Sequence, residues 1–365
     1  MIGEKLLLRT SCTLKGAPLP WSNRFDLGWY TLPNIEDVAR RAGVSRSTVS
    51  YALSGKRSIS RETRERIEAA IAELGFTPNA GARALATAQT KVIGLFVQFF
   101  EDEFSPAMLQ YVLPVADVAR EAGYDILMVT EADGPHAVQR IMSSGMVDGV
   151  VLLNVAYEDA RLPVMRKMKQ PGAMVGLPRN PDGFDVFDLD FAEAGRMLVD
   201  HLNELGHRDV ILITPRRHVY DRGGAYAWRF RDAALERAAS YGIRVRYYYG
   251  ETQQPAVNQQ LNEILDGRQE TALIVHNDAV IAALPSVLYS RGVRVPDDLS
   301  VVGIFSEDFG KLFSLPYTAV ETSPNKLGRL AVQALVQRML NPAAVSASWI
   351  EQLVAPLITD RGSTS

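Results

Sequence analysis

The 365-residue chain has a single cysteine, Cys12. One thiol excludes an internal disulfide framework and any cysteine-rich metal site, and a reducing, cytoplasmic setting is the expectation. Long apolar runs are also missing: nothing approaches the roughly 18 consecutive apolar residues that span a bilayer, so no membrane partner is expected. The opening MIGEKLLLRTSC offers three leucines in a row, too short for a secretory leader, and residues 1–33 show neither a helical nor a strand period. They read as an extension outside the folded domains. Catalytic signatures are scarce. There is no Gly-x-Ser-x-Gly elbow, no His-Glu-x-x-His and no phosphate-cradling glycine loop. The five histidines (His136, His201, His207, His218, His276) are scattered. No cofactor, no metal and no enzymatic activity are therefore expected. A two-lobed α/β enzyme or ligand-binding protein is the alternative.

Strong net charge is absent as well, at −3 overall, but the average conceals an asymmetry. Residues 34–90 hold nine cations and six anions, a net of +3, which leaves −6 for the rest of the chain. A small anion-binding module on an acidic body gives this pattern.

Within that basic stretch, GVSRSTVSY (43–51) places a turn glycine, four hydroxyls, an arginine and a tyrosine around two valines. It reads as a short helix, apolar toward its own domain and polar toward a partner. Before it, Asn34 caps IEDVARRA, whose Ile35, Val38, Ala39 and Ala42 share one face. After it, a helix from Ser60 carries Ile67, Ala70, Ile71 and Leu74 and stops at Gly75. Ser45 caps the middle helix, which points Val49 and Ala52 inward. Three short helices with a tight turn between the first two describe a helix-turn-helix, and a bundle with a merely solvated polar face is the bland alternative.

From Ile35 to Ala86 the sequence resembles the N-terminal DNA-binding region of the lactose-repressor/galactose-repressor (LacI/GalR) family of bacterial transcription regulators, hinge segment included. The resemblance implies a recognition helix in the major groove of double-stranded DNA, with Arg46, Ser47 and Tyr51 at base-reading positions. An arginine there can bridge the O6 and N7 of a guanine. Ser45, Thr48, Ser50 and Asn79 suit phosphate contacts. Many family members have arginine where Tyr51 stands, so the family's operators do not carry over. The hinge NAGARALA (79–86) is a short helix weakened by Gly81, marginal without a partner. The resemblance places Leu85 as a minor-groove wedge and Arg83 beside it among the DNA-contacting residues. A hinge that needs a partner predicts a homodimer and a palindromic operator.

From Lys91 onward, apolar strand candidates alternate with helical patterns: 92–99, 124–130, 147–155, 173–177, 209–214, 271–277 and 299–305. Alternation of this kind signals parallel α/β sheets, and ligands of such sheets bind beyond the strand ends. The resemblance implies a two-lobed effector domain like a periplasmic binding protein, spanning 91–360. Lobe 1 is expected over about 91–190 and 321–345, and lobe 2 over about 191–320 and 346–360. The chain is thus expected to cross between lobes near Asp190, Val320 and Ser346. The helix-turn-helix is assigned to 34–76, the hinge to 77–90 and a short tail to 361–365.

A small-molecule effector, a sugar or another metabolite, is the expected ligand. Asn277 and Asp278 match the family's Asn-Asp effector-contact motif, although the same pair would also cap and open a helix. Gln98, Phe99 and Phe104 follow the first strand of this domain, and Phe305 follows the last parallel one. In DRGGAYAWRF (221–230) the sequence departs from the family. Tyr226 stands where sugar-responsive members carry arginine, and Arg229 replaces a glycine, leaving Arg222 or Arg229 as substitutes.

Overall fold

Asn34 starts the first helix through its side chain. Its Oδ1 accepts from the N–H of Glu36 (2.7 Å) and of Asp37 (3.2 Å), and the Asp37 carboxylate accepts from the Asn34 N–H at 3.0 Å, a capping box. In this computed structural model, residues 33–54, 57–77, 84, 87, 89–100, 104–341 and 348–365 are described, and the chain divides into two units, 1–87 and 88–365. The first contains α1 (Ile35–Ala42), α2 (Arg46–Ser54) and α3 (Arg61–Leu74). Gly43 closes α1 at φ +64°, a left-handed conformation that side-chain-bearing residues adopt only with strain. Val44 and Ser45 follow, and α2 begins at Arg46.

The three helices surround one small core. Val38, Val49 and Ile67 are at most 1% exposed, and burying each contributes roughly 1.5–3 kcal/mol. Val44, Ala52, Ile59 and Leu74 pack around them. Arg41 reaches from α1 to Glu73 of α3, Nε to Oε1 at 2.9 Å. Both partners are about half exposed, so this pair adds at most about 1 kcal/mol.

The second unit holds two six-stranded sheets. The first has the order β11-β5-β4-β3-β1-β2, all parallel: β1 (Val92–Phe96), β2 (Asp125–Val129), β3 (Gly149–Leu152), β4 (Gly172–Val175), β5 (Asp185–Leu189) and β11 (Glu351–Val354). The second has the order β12-β10-β9-β8-β6-β7: β6 (Asp209–Thr214), β7 (Arg244–Tyr249), β8 (Ala272–Val275), β9 (Ser300–Ile304), β10 (Thr318–Val320) and β12 (Ile358–Thr359). Only β12 runs antiparallel.

Helices cover both faces of each sheet, as buried parallel sheets require. Those of the first lobe are α4 (Ser105–Glu121), α5 (Gly134–Ser143), α6 (Leu162–Met165) and, returning late in the chain, α13 (Pro324–Leu340). Those of the second are α7 (Phe191–Glu204), α8 (Arg217–Asp221), α9 (Ala225–Ser240), α10 (Ala256–Leu265), α11 (Asp278–Ser290) and α12 (Glu307–Leu312). Four apolar clusters result, one on each face of each sheet.

The chain passes between lobes after Leu189 and after Val320, and a third time between Val354 and Ile358. The third crossing is not at Ser346. β11 lies parallel to β5, Glu351 opposite Val186 through Val354 opposite Leu189, and the Ile350 N–H donates to Asp185 at 2.9 Å. Residues 348–354 therefore belong to lobe 1. Nor are residues 361–365 a loose tail. Ser363 is 2% exposed, and its hydroxyl accepts from the Thr318 N–H at 2.7 Å and donates to the Val301 carbonyl at 2.6 Å. Of the hinge expectations, Asn79, Arg83 and Leu85 lie outside the described residues, as do residues 1–32 of the extension.

Candidate functional site

Two surfaces carry the functional residues. On α2, Ser45 supplies the cap: its Oγ accepts from the Thr48 N–H at 3.1 Å and lies 2.8 Å from both the Ser47 and Thr48 hydroxyls. Ser45 is thus part of the fold as well as of the exposed face. At 100° per residue, Arg46, Ser47, Ser50 and Tyr51 fall on one side of α2 and Val49 on the other. Burial follows that division. Val49 is fully buried, Ser45, Arg46, Ser47 and Tyr51 are exposed, and Thr48 and Ser50 are half-buried. The Arg46 side chain is 69% exposed and, among the described residues, meets Glu36 alone, at 3.4 Å. A contact so long and so wet leaves it free to engage a nucleic acid.

The second surface is a cavity of about 190 Å³ between the lobes of the second unit. The first lobe lines it with Tyr111 of α4, Leu153 and Val155 after β3, and Asp188 of β5; the second with Phe191, Tyr226, Arg229, His276 and Asp278. The space exceeds that of a single water and is walled mainly by apolar and aromatic groups, the usual composition of a small-molecule site.

Five of the nine residues expected at this cleft line it: Phe104, Tyr226, Arg229, Asn277 and Asp278. Phe104 also packs against Phe309 and Phe313, with ring centroids at 6.1 and 5.8 Å, and so bridges the lobes at one rim. The other four sit elsewhere. Phe305 is 1% exposed within the second sheet's core, because its side chain points to Phe309 rather than past the strand end. Phe99 packs onto the first sheet's core, and Gln98 donates to the Ala132 carbonyl at 3.1 Å. Arg222 lies over the Phe100 ring, 3.9 Å from its centroid.

Asn277 caps α11, accepting from the Val280 N–H at 3.1 Å, and its amide points to the Thr214 carbonyl at 3.4 Å. Its neighbour is different. Asp278 makes no hydrogen bond to another residue's side chain among the described residues, and burial pushes its carboxyl up to about 7. His276 is held neutral by burial, its pKa down to about 3, among the rings of Phe191, Tyr226 and Phe230.

Sequence reasoning missed Asp188, Tyr111 and Phe191. Asp188 pairs with Arg229 across the lobe boundary. Burial raises its pKa while Arg229 opposes the rise. The DLD of 188–190 was the only available signal, and it read as a crossover.

A helix-turn-helix unit and a two-lobed α/β unit with a ligand-sized cleft, carried on one chain, define a DNA-binding transcription regulator. The family described as bacterial regulatory proteins, lacI family, matches residues 34–79, and the periplasmic binding protein-like domain matches residues 199–364. The chain thus joins a lacI-family DNA-binding domain to a periplasmic binding protein-like domain.

Its curated relatives include the HTH-type transcriptional repressor PurR of Glaesserella parasuis serovar 5, 25% identical over 84% of this chain and 90% of its own length. The PurR of Actinobacillus pleuropneumoniae serotype 3 is 27% identical over 84% and 91%. The solved Lac repressor dimer bound to operator and the anti-inducer ONPF has a TM-score of 0.75 at 23% identity, covering 91% of this chain and 99% of its own. The transcriptional regulator CelR–cellobiose complex has a TM-score of 0.61 at 25% identity, with the same coverage.

Proposed function

We propose that the protein is a cytoplasmic repressor that binds a palindromic operator as a homodimer and answers to a small molecule in its interlobe cleft. The observation that carries this reading is the division of α2, with Val49 buried and Arg46, Ser47 and Tyr51 left outward. In the major groove, Arg46, Ser47 and Tyr51 read base edges, while Ser45, Thr48 and Ser50 meet phosphates. Asn79, Arg83 and Leu85 act in the hinge, which gains stability only on DNA and beside its partner. A ligand that prefers one lobe arrangement shifts the population of hinge geometries and so the affinity for the operator. The relatives support the scheme as repressors and as an operator-bound dimer. The cleft binds its ligand without turning it over, in keeping with the repressor relatives.

Selection of genomic fragments by the full chain, followed by footprinting, tests this. A two-fold symmetric protected site is expected. Arg46→Ala should cost about 1–3 kcal/mol at one base position per half-site. Leu85→Ala should weaken specific binding more than non-specific binding. A uniform loss over all sequences in both variants would reduce these residues to phosphate contacts.

A further inference from the structure

The interlobe cavity has an uneven charge inventory. Four charged side chains line it: Asp188, Arg216, Arg229 and Asp278. Asp188 and Arg229 pair with each other. Arg216, at the mouth, leans toward Glu251 at 3.5 Å. Asp278 has no cationic partner among the described residues. Arg216, about a third exposed, is only loosely held, so among the described residues Asp278 is the lining's carboxylate without a cation.

Some polar groups of the lining are committed, while Nδ1 of His276 and Nε and Nη1 of Arg229 are buried without a partner among the described residues. Asn277 serves the helix cap and Thr214, and Ser306 donates to Gln110. An anionic ligand would share the cavity with the Asp278 carboxylate. Around Asp278, by contrast, Tyr111 and Tyr226 lie close enough for their hydroxyls to feel its charge, and Phe104 and Phe191 line the same space. Aromatic rings with one unpaired carboxylate suit a cation on an apolar body.

We propose that the cleft takes a cationic nitrogen compound, an amine or protonated nitrogen heterocycle, held by the Asp278 carboxylate among the rings of Tyr111, Tyr226 and Phe191. The inference rests on the cleft being the effector site. It also makes Asp278 the specificity-determining residue.

The groups facing Asp278 do not compete with it near neutral pH. Burial raises Tyr111 of α4 and Tyr226 of α9, so both stay protonated. His276, ahead of α11, stays neutral, and Asp188 of β5 is tied to Arg229 of α9. Only Asp278, pushed up to about 7, changes charge between pH 6 and 8. A cation binds its ionised form, which grows from about a tenth to about nine-tenths of the molecules over that range.

Calorimetry on the full chain with benzylammonium, benzyl alcohol and benzoate tests the proposal, because these probes share a ring and differ in head group. At pH 8 benzylammonium should bind at least about tenfold tighter than benzyl alcohol, and benzoate should not bind. Lowering the pH to 6 should weaken benzylammonium about tenfold. Asp278→Asn should abolish the preference, and Tyr226→Phe should keep it, with circular dichroism confirming that both fold. Equal or tighter binding of the alcohol or benzoate, no binding of benzylammonium at millimolar concentration, or a preference surviving in Asp278→Asn would overturn it. A protein that grips its selected operator but prefers benzyl alcohol refutes only the ligand class; one that selects no fragment refutes the regulator reading.

Discussion

The Asp188–Arg229 pair joins β5 of one lobe to α9 of the other, and its removal is the sharpest test of how the lobes are tied. The Asp188 side chain is 5% exposed and that of Arg229 21%. Breaking a fully buried pair costs about 3–5 kcal/mol, because the remaining charge is stranded. Two features reduce that figure here. Arg229 retains some water, and a stranded Asp188 escapes its charge by taking a proton, a step that burial already favours. Arg229→Ala should therefore destabilise by about 2–3 kcal/mol in urea unfolding, and Asp188→Ala by a similar amount. The Arg229 Nε and Nη1 are buried without acceptors, so Asp188→Ala leaves all three guanidinium nitrogens unmet. The double variant strands nothing. It should cost about as much as either single change, giving a coupling of about 2 kcal/mol. Additive losses, within about 0.5 kcal/mol, would show that each side chain acts through packing alone and would refute the tie between lobes.

Ser45→Ala removes the α2 cap, so it should cost about 1 kcal/mol of helix stability and weaken operator binding roughly fivefold at every base position, read by thermal melting and gel shift. Stability near the cleft should respond to pH in two opposing ways. Asp278 keeps its proton in the folded state up to about pH 7, so stability falls as pH rises from about 4 to about 7. His276 refuses a proton down to about pH 3, so its contribution rises as pH climbs from about 3 to about 6.5. The two slopes cancel between about pH 4 and 6.5, and Asp278→Asn should uncover the rising histidine slope in urea titrations; an unchanged pH profile would refute both shifts.

The strands that the sequence reveals are those whose burial is apolar. β1, β3, β8 and β9 were read within a few residues of their bounds, because VIGLF, GVVL, ALIV and SVVGI carry a single hydroxyl, that of Ser300, among apolar residues and glycines. β5, DVFDL, is equally buried, yet its aspartates at alternate-but-one positions break the apolar run. What permits their burial is remote in sequence: Arg338 donates to Asp185 at 2.7 and 2.8 Å from 153 residues away, and Arg229 meets Asp188 from 41 residues away. A window of neighbouring residues holds no trace of such partners. β7, RVRYYY, was missed for a related reason: it is a half-buried edge strand whose Arg244 is matched by Asp209 on the adjoining β6, at 2.6 Å. β11 is a short exposed edge held by register with β5, and that pairing moved the third crossing past Ser346. The helix-turn-helix was legible because each helix carries its cap, its apolar face and its closing turn in one short stretch of sequence.

The cleft's chemistry turns on where one arginine stands. Positions 226 and 229 are three apart on α9 and so lie on the same face, where both line the cavity. The family resemblance sets the arginine of sugar-responsive members at the first of these positions. Here that position carries Tyr226, and the arginine at the second is occupied by Asp188. The shift of one helical turn converts a cation that could serve a ligand into one that serves the protein. Asp278 then remains as the carboxylate without a cation among the described residues, and the proposed preference for a cationic ligand rests on it.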